Sequence, residues 1–373
     1  MRKKVFFYPS FTPMHRAVGR VLDAADDIEI VYGLDGDDRW RRPVDTADVT
    51  RMRAYATRIL DDALPELHAI YGREPRPVDR DMLERGRRLE VVFLPGSGFD
   101  TVDLVAATEH NVACINSAGV NATPVSDCAV GLMLSVSMRT AYVDRFMHRE
   151  KRWIFLADLD EQDIYPGAIS GKTVGIVGFG FIGREVARKC RDGFRMRVLA
   201  FDPFFDPMEA DRQGVTLVDS LKEMLPQCDF VSVNCPLTPQ TRGIIGEAEL
   251  ALMKPSAFLI NTSRGGTVDA AALLAALRER RIAGAGVDCT DPEPLPDGHP
   301  LYDLENIVIS PHISGGADDT MEKLGTASAT QAVRVLRGQK SSRVLNPEVL
   351  PALRARQQAT AERGDADARC HSR

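Results

Sequence analysis

The chain has 373 residues, of which 44% are hydrophobic and 27% are charged, and its formal net charge at neutral pH is −6. This length predicts two domains, each with a buried core, and the composition is ordinary for a globular protein. The mild negative charge gives no reason to expect nucleic acid or an anionic membrane as a partner. Apolar runs are too short to span a bilayer, and Pro9 interrupts the N-terminal one, which argues against a signal peptide.

Seven cysteines are scattered along the chain without a C-x-x-C pair, and most of them lie in apolar runs. This pattern is typical of reduced cysteines in a protein core, and not of a disulfide framework or a zinc site. We therefore expect a cytoplasmic protein that holds no metal ion.

The first ninety residues alternate short apolar runs with helical patterns. The runs VFFY, IEIVYG, LHAIYG and LEVVFL predict strands, and helices are predicted from about Met14, over about 47–64 and around Met82. Such alternation is typical of a parallel sheet with helices on its faces.

An insert at residues 33–43 interrupts this alternation. It contains a tryptophan among three arginines, namely Arg39, Trp40, Arg41 and Arg42. We interpret it as a solvated surface loop, and the alternative that it lines the path of an anionic substrate stays open.

A glycine turn and a strongly apolar helix follow. Gly96, Ser97 and Gly98 come after a strand, where a tight turn can direct backbone amides at an anion; a turn without a ligand is the alternative. The pattern predicts a helix over 123–137 that continues through three aromatic residues, Tyr142, Phe146 and Trp153. These aromatic residues either face a second subunit or belong to a packed core. Residues 158–171 are expected to be a polar linker.

The stretch around which the chain is organised begins with a buried strand at 174–177. Gly178, Gly180 and Gly183 follow in G-x-G-x-x-G spacing and open a helical pattern. The first glycine allows a tight turn, the second lets the backbone approach a pyrophosphate, and the third lets helix and strand pack closely. Asp202 ends the next strand, where a carboxylate binds a ribose diol and repels a 2′-phosphate. This combination predicts a dinucleotide site that prefers NAD over NADP, the alternative being a glycine turn without a ligand.

Beyond Asp202, polar residues recur at the carboxyl ends of successive predicted strands, the edge at which open α/β sheets bind ligands. Arg264 has a guanidinium suited to binding a carboxylate and polarising a carbonyl, and His312 can exchange a proton near neutral pH. Glu293 lies 19 residues before His312. A buried carboxylate there would pair with the imidazole and favour its protonated form. Each residue taken alone also has a purely structural interpretation.

The same residues carry a family resemblance. From about residue 94 to about 337 the chain resembles the D-isomer-specific 2-hydroxyacid dehydrogenases in the motifs GSGFDTVDL, NATPVSDCAVGLML, GKTVGIVGFGFIG, NCPLTPQTRGIIG, LMKPSAFLINTSRGGTVD, GVDCTDPEPLP and SPHISGG. The resemblance implies an α/β protein of two Rossmann-like, doubly wound parallel-sheet domains, one flavodoxin-like and one dinucleotide-binding, with the active site in the cleft between them.

The domain limits follow from this resemblance. Residues 1–118 and 312–350 are expected to bind the substrate, and residues 119–311 to bind NAD. Residues 351–373 are charged and poor in apolar side chains, so we expect a disordered tail.

The resemblance also implies roles for individual residues. Arg264 would bind the carboxylate and carbonyl of a 2-oxo acid, His312 would be the acid–base and Glu293 its partner. The amides of Ser97 and Gly98 would bind the substrate carboxylate. Cofactor contacts would fall on Gly178, Gly180, Phe181, Ile182, Gly183, Asp202, Cys235, Thr241, Thr262, Asp288 and Gly315. Members of this family are usually homodimers.

The leading hypothesis is an NAD-dependent oxidoreductase that interconverts a small 2-oxo acid and its D-2-hydroxy acid by hydride transfer. Two alternatives stay open. One is an NAD(H)-sensing, corepressor-like binding protein that keeps the same three residues, and the other is an enzyme that oxidises an anion such as phosphite. The identity of the 2-oxo acid depends on loops that the sequence does not place.

Overall fold

A computed structural model describes residues 2–10, 12–36, 43, 46–72, 75–155, 159, 166–317 and 319–371. The chain forms two compact units, one of residues 1–121 and 318–373 and one of residues 122–317. Residues 37–42, with Trp40 and its arginines, and residues 158 and 160–165 of the expected linker lie outside the described residues. None of the helices in the described part of the chain has the length and apolar content that crossing a bilayer requires.

Strands and helices alternate along most of the chain. The strands are β1 (Lys3–Phe7), β2 (Ile28–Tyr32), β3 (Ala69–Tyr71), β4 (Val91–Phe93), β5 (Ala113–Ile115), β6 (Thr173–Val177), β7 (Arg197–Phe201), β8 (Thr216–Leu217), β9 (Phe230–Val233), β10 (Phe258–Asn261), β11 (Gly284–Val287) and β12 (Ile307–Ile309). The helices are α1 (Pro13–Asp23), α2 (Thr46–Ala63), α3 (Arg80–Arg85), α4 (Leu104–Glu109), α5 (Ala122–Ser137), α6 (Thr140–Glu150), α7 (Phe181–Phe194), α8 (Pro207–Arg212), α9 (Leu221–Met224), α10 (Glu247–Leu252), α11 (Ala270–Arg278), α12 (Thr320–Leu336) and α13 (Leu350–His371).

The first unit contains a parallel sheet in the order β2-β1-β3-β4-β5, which is the flavodoxin-like order of doubly wound folds. Neighbouring residues of β1 enter different apolar clusters, Phe6 one and Val5 and Phe7 the other, because successive side chains point to opposite faces. Helix α12 packs closely on α1, since Gly325 brings its backbone against the Met14 carbonyl, where a Cβ would lie 2.2 Å from the oxygen.

The second unit contains a seven-stranded parallel sheet in the order β12-β11-β10-β9-β6-β7-β8. This is the dinucleotide-binding order with one further strand at its edge. The order of strands reverses between β6 and β9, and ligands bind outside the carboxyl ends of strands at such a reversal. The predicted fold class of two doubly wound parallel-sheet units is confirmed.

The predicted continuation of the helix over 123–137 is wrong. Helix α5 ends at Ser137, whose hydroxyl donates to the Gly167 carbonyl at 2.6 Å and whose carbonyl accepts from the Gly167 amide at 2.8 Å. Arg139 then adopts a left-handed conformation, with φ of 58°, before α6 begins. Tyr142 is buried in a small cluster, whereas Trp153 lies beyond α6 and is 66% exposed.

Disorder was expected over residues 351–373, whereas the structure describes Leu350–His371 as a helix. Leu353 is buried in a core cluster of the first unit. Arg356 donates to the Leu89 carbonyl at 2.7 Å and Gln357 to the Val335 carbonyl at 3.1 Å. A few contacts with distant parts of the first unit therefore stabilise a segment whose composition is typical of disorder.

The division between the two units differs from the predicted one at both crossings. The first crossing falls after Asn121, and the return falls after Ala317, so His312 belongs to the second unit. The cause is a set of hydrogen bonds to Asp288: its carbonyl accepts from the His312 amide at 2.8 Å, and its carboxylate accepts from the amides of the next two residues. These bonds hold the loop after β12 on the second sheet.

Candidate active site

The turn between β6 and α7 has the geometry that its three glycines predict. Gly178 has φ of +89°, and a Cβ there would lie 2.6 Å from the Cys235 amide nitrogen; at Gly183 a Cβ would lie 2.1 Å from the Gly178 carbonyl oxygen. At Gly180, by contrast, no atom lies within 4 Å of a built Cβ. Two glycines therefore allow close packing, and the third leaves open space at the start of a helix, as a phosphate requires.

Asp202 lies directly after β7 and faces this turn. One carboxylate oxygen accepts from the Phe179 amide at 2.8 Å and the other from the Phe204 amide at 3.0 Å. These two bonds fix the carboxylate in place, and each oxygen keeps a lone pair for a ribose hydroxyl.

The other expected cofactor contacts lie on loops at the same edge of the second sheet. Cys235 is buried after β9, which raises the pKa of its thiol to about 11. The Thr241 hydroxyl donates to the Pro236 carbonyl at 2.6 Å and so closes the following turn. The Thr262 hydroxyl is buried and has no hydrogen-bond partner among the described residues. Because buried polar groups are almost always paired, this hydroxyl fits a bound ligand such as a dinucleotide.

The expected cofactor set also includes Phe181, Ile182 and Gly315. Phe181 begins α7 and is exposed, with the Arg184 guanidinium carbon 5.2 Å from its ring centre. Ile182 packs against an apolar cluster of the second unit, so its side chain serves the core. Gly315 lies in the short 3-10 helix Ser314–Gly316.

Arg264 lies in the loop after β10, and a buried asparagine organises this loop. The Asn261 side chain donates to the Arg264 carbonyl at 2.9 Å and accepts from the Ser263 amide at 3.0 Å. A Cβ at Gly265 would lie 1.9 Å from the Thr290 carbonyl oxygen, so the backbone after Arg264 touches the loop that carries Glu293. The role of Asn261 was not predicted from the sequence, although a polar residue at the end of a buried strand was a usable signal.

His312 and Glu293 form the pair that the sequence predicts. The imidazole Nδ1 lies 2.7 Å from Oε1 of Glu293. The two side chains are 30% and 42% exposed, so the carboxylate is not buried as expected. The hydrogen bond from His312 lowers the pKa of Glu293, burial opposes this shift, and the positive charges of His312 and Arg264 support it.

His312 itself has φ of +54°, a conformation that few residues other than glycine adopt. Asp288, which is only 1% exposed, holds this loop with its carboxylate. One oxygen accepts from the Ser310 hydroxyl at 2.6 Å and the Ile313 amide at 3.0 Å, and the other accepts from the Ser314 amide at 3.0 Å. Asp288 is thus a structural support for the imidazole, a role that the sequence analysis did not assign to it.

The structure also brings Cys289 to the pair. Its sulfur, a carboxylate oxygen of Glu293 and a ring nitrogen of His312 all lie within 4.8 Å of one another. Burial raises the pKa of the Cys289 thiol to about 12, so the free thiol is protonated at neutral pH. The sequence alone predicted only a reduced core cysteine at this position.

Ser97 and Gly98 lie in the first unit, in the loop after β4. The Ser97 carbonyl accepts from the Asn116 side chain at 2.8 Å, and the Ser97 hydroxyl donates to the Asn121 side-chain oxygen at 2.9 Å. Gly96, with φ of +143°, allows the turn that precedes them. This loop is therefore held by side chains and leaves its backbone turn half-exposed.

The strand order, the glycine turn and the acid after β7 define the second unit as a dinucleotide-binding domain of the Rossmann type. The family described as D-isomer specific 2-hydroxyacid dehydrogenase, NAD binding domain, matches residues 130–314. A glyoxylate reductase of Korarchaeum cryptofilum is 36% identical over 277 residues, which cover 74% of this chain and 81% of that protein. A D-3-phosphoglycerate dehydrogenase of Methanocaldococcus jannaschii is 30% identical over 339 residues; the match covers 91% of this chain but only 59% of that protein.

A solved structure agrees with these relatives. The crystal structure of a glyoxylate reductase from Paecilomyes thermophila matches with a TM-score of 0.76 at 26% identity, over 93% of this chain and 99% of its own. The chain belongs to the D-isomer-specific 2-hydroxyacid dehydrogenase family. Its second unit carries the NAD-binding domain of that family, and its cofactor is NAD.

The glycine turn generates a test with opposite outcomes at two positions. Gly183→Ala should destabilise the protein by about 1–3 kcal/mol, because its methyl group meets the Gly178 carbonyl. Gly180→Ala should leave the thermal midpoint nearly unchanged but raise the dissociation constant of NADH about tenfold, or ~1.4 kcal/mol, because its methyl group occupies open space meant for a phosphate. Thermal unfolding without cofactor and a fluorescence titration with NADH measure the two effects.

Gly193→Ala, in the same helix and with open space around it, is the matched control. It should change stability by no more than about 1 kcal/mol and leave NADH binding unchanged. If Gly180→Ala bound NADH like the unmodified protein, the phosphate would not lie at this turn.

The lowered pKa of Glu293 makes a prediction for stability against pH. In acidic solution the folded protein keeps this carboxylate charged at pH values where the unfolded chain already protonates it. The His312–Glu293 pair therefore contributes its full stabilisation above the ordinary glutamate pKa of about 4.3. This contribution is lost as the pH falls through the lower pKa that Glu293 has in the folded protein. The difference in unfolding free energy between the unmodified protein and Glu293→Gln should therefore be at most about 1 kcal/mol near pH 6, because the pair is part-exposed, and should vanish in more acidic solution.

Urea unfolding measures the difference in unfolding free energy between the unmodified protein and Glu293→Gln. It should be repeated between about pH 3 and pH 7, at steps of about half a pH unit. Asp297→Asn, an exposed acidic residue in the same loop, is the control and should show no such trend. A difference that stayed constant across this range would mean that the pair carries no charge coupling.

Proposed function

We propose that the protein is an NAD-dependent dehydrogenase that interconverts a small 2-oxo acid and its D-2-hydroxy acid. The observation that carries this proposal is the pair of His312 and Glu293, 2.7 Å apart, on the strand-end edge of an NAD-binding sheet. The loop of Arg264 touches the loop of Glu293 on the same edge. Relatives named glyoxylate reductase and D-3-phosphoglycerate dehydrogenase support the same class of substrate.

Arg264 would bind the substrate. Its guanidinium is permanently charged and presents paired donors that match a carboxylate, and it can also polarise the neighbouring carbonyl. Asn261 holds the backbone on either side of Arg264, which limits the positions that the guanidinium can reach.

His312 would exchange the proton. An ionised carboxylate can only accept a hydrogen bond, so Nδ1 of His312 carries a hydrogen toward Glu293 and Nε2 is the nitrogen left to face the substrate. In reduction, Nε2 donates its proton to the carbonyl oxygen that becomes the hydroxyl; in oxidation, Nε2 takes that proton back. Asp288 keeps the imidazole in position through the backbone of its loop.

When NAD is bound, its nicotinamide supplies or accepts the hydride. We assign its pyrophosphate to the turn at Gly180, its ribose to Asp202 and a further contact to the Thr262 hydroxyl. We also assign the substrate carboxylate to the amides of Ser97 and Gly98, whose loop is held by Asn116 and Asn121.

We further propose a homodimer and a cytoplasmic location. Trp153 and Phe155 are 66% and 65% exposed, and such aromatic residues are more typical of an interface than of a free surface. Six cysteines are free, which fits a reducing compartment: Cys114, Cys128, Cys190, Cys228, Cys235 and Cys289.

A substrate panel tests the proposal. NADH oxidation is followed with glyoxylate, hydroxypyruvate, pyruvate and bulkier 2-oxo acids, and NAD⁺ reduction is followed with phosphite. Turnover of at least one 2-oxo acid supports the proposal. Tight NADH binding without turnover would favour an NAD(H)-sensing protein, and turnover of phosphite alone would favour an anion dehydrogenase.

His312→Ala should lower kcat by roughly 10²–10⁴-fold, because general acid–base catalysis contributes that much. NADH affinity should stay the same, since the imidazole is not assigned to the cofactor. Steady-state kinetics and an NADH titration give both values. His110→Ala, at the end of α4 in the first unit, is the control. Near-normal kcat in His312→Ala would overturn the assignment of the acid.

Arg264→Ala should raise the KM for the 2-oxo acid about 100-fold, because each charged hydrogen bond to a carboxylate contributes about 1.5–3 kcal/mol. Arg264→Lys should have a KM between those of the unmodified protein and Arg264→Ala, since lysine keeps the charge but loses the paired donors. Arg242→Ala removes a nearby arginine whose side chain is 63% exposed, and it should leave KM unchanged. Equal effects of Arg264→Ala and Arg242→Ala would mean that Arg264 acts only through general charge.

A further inference from the structure

Three side chains of different chemistry meet at the end of β11. The Cys289 sulfur, a Glu293 carboxylate oxygen and a His312 ring nitrogen lie within 4.8 Å of one another. Glu293 and His312 have roles in the proposed reaction, whereas the thiol has none. A thiol, a carboxylate and an imidazole are the three kinds of side chain that bind zinc in proteins.

The spacing of these atoms is close to that of a metal site. Zinc lies about 2.3 Å from sulfur and about 2.0–2.1 Å from nitrogen, so two ligands of a tetrahedral ion are on the order of 3.5 Å apart. The three atoms therefore need to move by roughly an ångström or less to surround an ion. Glu293 and His312 can make this movement because their side chains are part-exposed.

The three side chains differ in their exposure to solvent, and this difference indicates how an ion would enter the cluster. Cys289 is 3% exposed and its thiol points to the Ser263 carbonyl, at 3.3 Å from sulfur to oxygen. Glu293 and His312 are the solvent-facing members of the cluster, so an ion would arrive through them and meet the sulfur last.

We propose that Cys289, Glu293 and His312 form an inhibitory site for a thiol-binding divalent cation, of which Zn²⁺ is the best match. On binding, the thiol releases its proton to solvent, and the imidazole coordinates as the neutral tautomer that carries its hydrogen on the other ring nitrogen. The sulfur, a carboxylate oxygen and the unprotonated ring nitrogen then each donate a lone pair to the ion. An imidazole held by the ion cannot alternate between its protonated and neutral forms, so turnover stops. The inhibition rests on the proposed function, whereas the binding itself does not.

Binding is tested directly with Co²⁺ on tag-free protein without cofactor. A thiolate-to-cobalt charge-transfer band in the near ultraviolet should appear with one equivalent of Co²⁺ and disappear when Zn²⁺ displaces it. Mg²⁺, which prefers oxygen ligands, should neither give a band nor displace Co²⁺. Absence of the band in the unmodified protein would overturn the proposal.

Cys289→Val should abolish the band and weaken Zn²⁺ binding by at least the roughly 10–100-fold that loss of an outer-shell partner costs. Cys289→Ala serves as a second variant, in case the valine disturbs folding. Cys128→Val removes a nearby half-buried thiol outside the cluster and should keep the band. If Cys128→Val rather than Cys289→Val lost the band, the ligand assignment would be wrong.

Turnover completes the test. Zn²⁺ should inhibit NADH oxidation by the unmodified protein and by Cys128→Val, a chelator should restore it, and Cys289→Val should need at least about tenfold more Zn²⁺. Turnover that requires the ion would contradict an inhibitory role. If the protein turns over a 2-oxo acid but binds neither Co²⁺ nor Zn²⁺, the metal site is contradicted and the proposed function stands. If it binds the metal but turns over no 2-oxo acid, the proposed function is contradicted and the metal site stands.

Discussion

The buried carboxylate of Asp288 fixes the loop on which the candidate chemistry depends. It accepts hydrogen bonds from the Ser310 hydroxyl and from the amides of Ile313 and Ser314. Those donors surround His312, whose left-handed backbone would be costly without such support. A buried carboxylate with several donors is stable because each donor compensates for lost water. The position of the imidazole beside Glu293 follows from this arrangement.

Close backbone contacts assemble the rest of the edge. Gly178 lets the turn after β6 touch the chain after β9, and Gly265 lets the loop after β10 touch the loop after β11. Both contacts are too short for any side chain. Parallel strands place all their carboxyl ends at one edge of a sheet, and glycines then allow neighbouring loops to meet there. The glycine turn and the catalytic candidates thus share one construction principle.

The polar start of α5 can also be understood from its contacts. Ser126 and Asp127 lie near the beginning of this helix, and Lys189 binds both, at 2.6 and 2.7 Å. The same ammonium group also donates to the Thr123 carbonyl at 2.9 Å. The charge on α7 therefore accommodates the polar start of α5.

The strands, the glycine turn and the three polar residues at strand ends were predictable from the sequence, because apolar periodicity and glycine spacing report local requirements of the backbone. Three features were not predictable from the sequence: the end of α5 at Ser137, the helical structure of α13, and the membership of His312 in the second unit. Each depends on hydrogen bonds or packing between residues far apart in the chain, such as Ser137 with Gly167 and Arg356 with Leu89. The approach of Cys289 to Glu293 and His312 belongs to the same group, since a local pattern records which residue ends a strand but not which loops then meet around it.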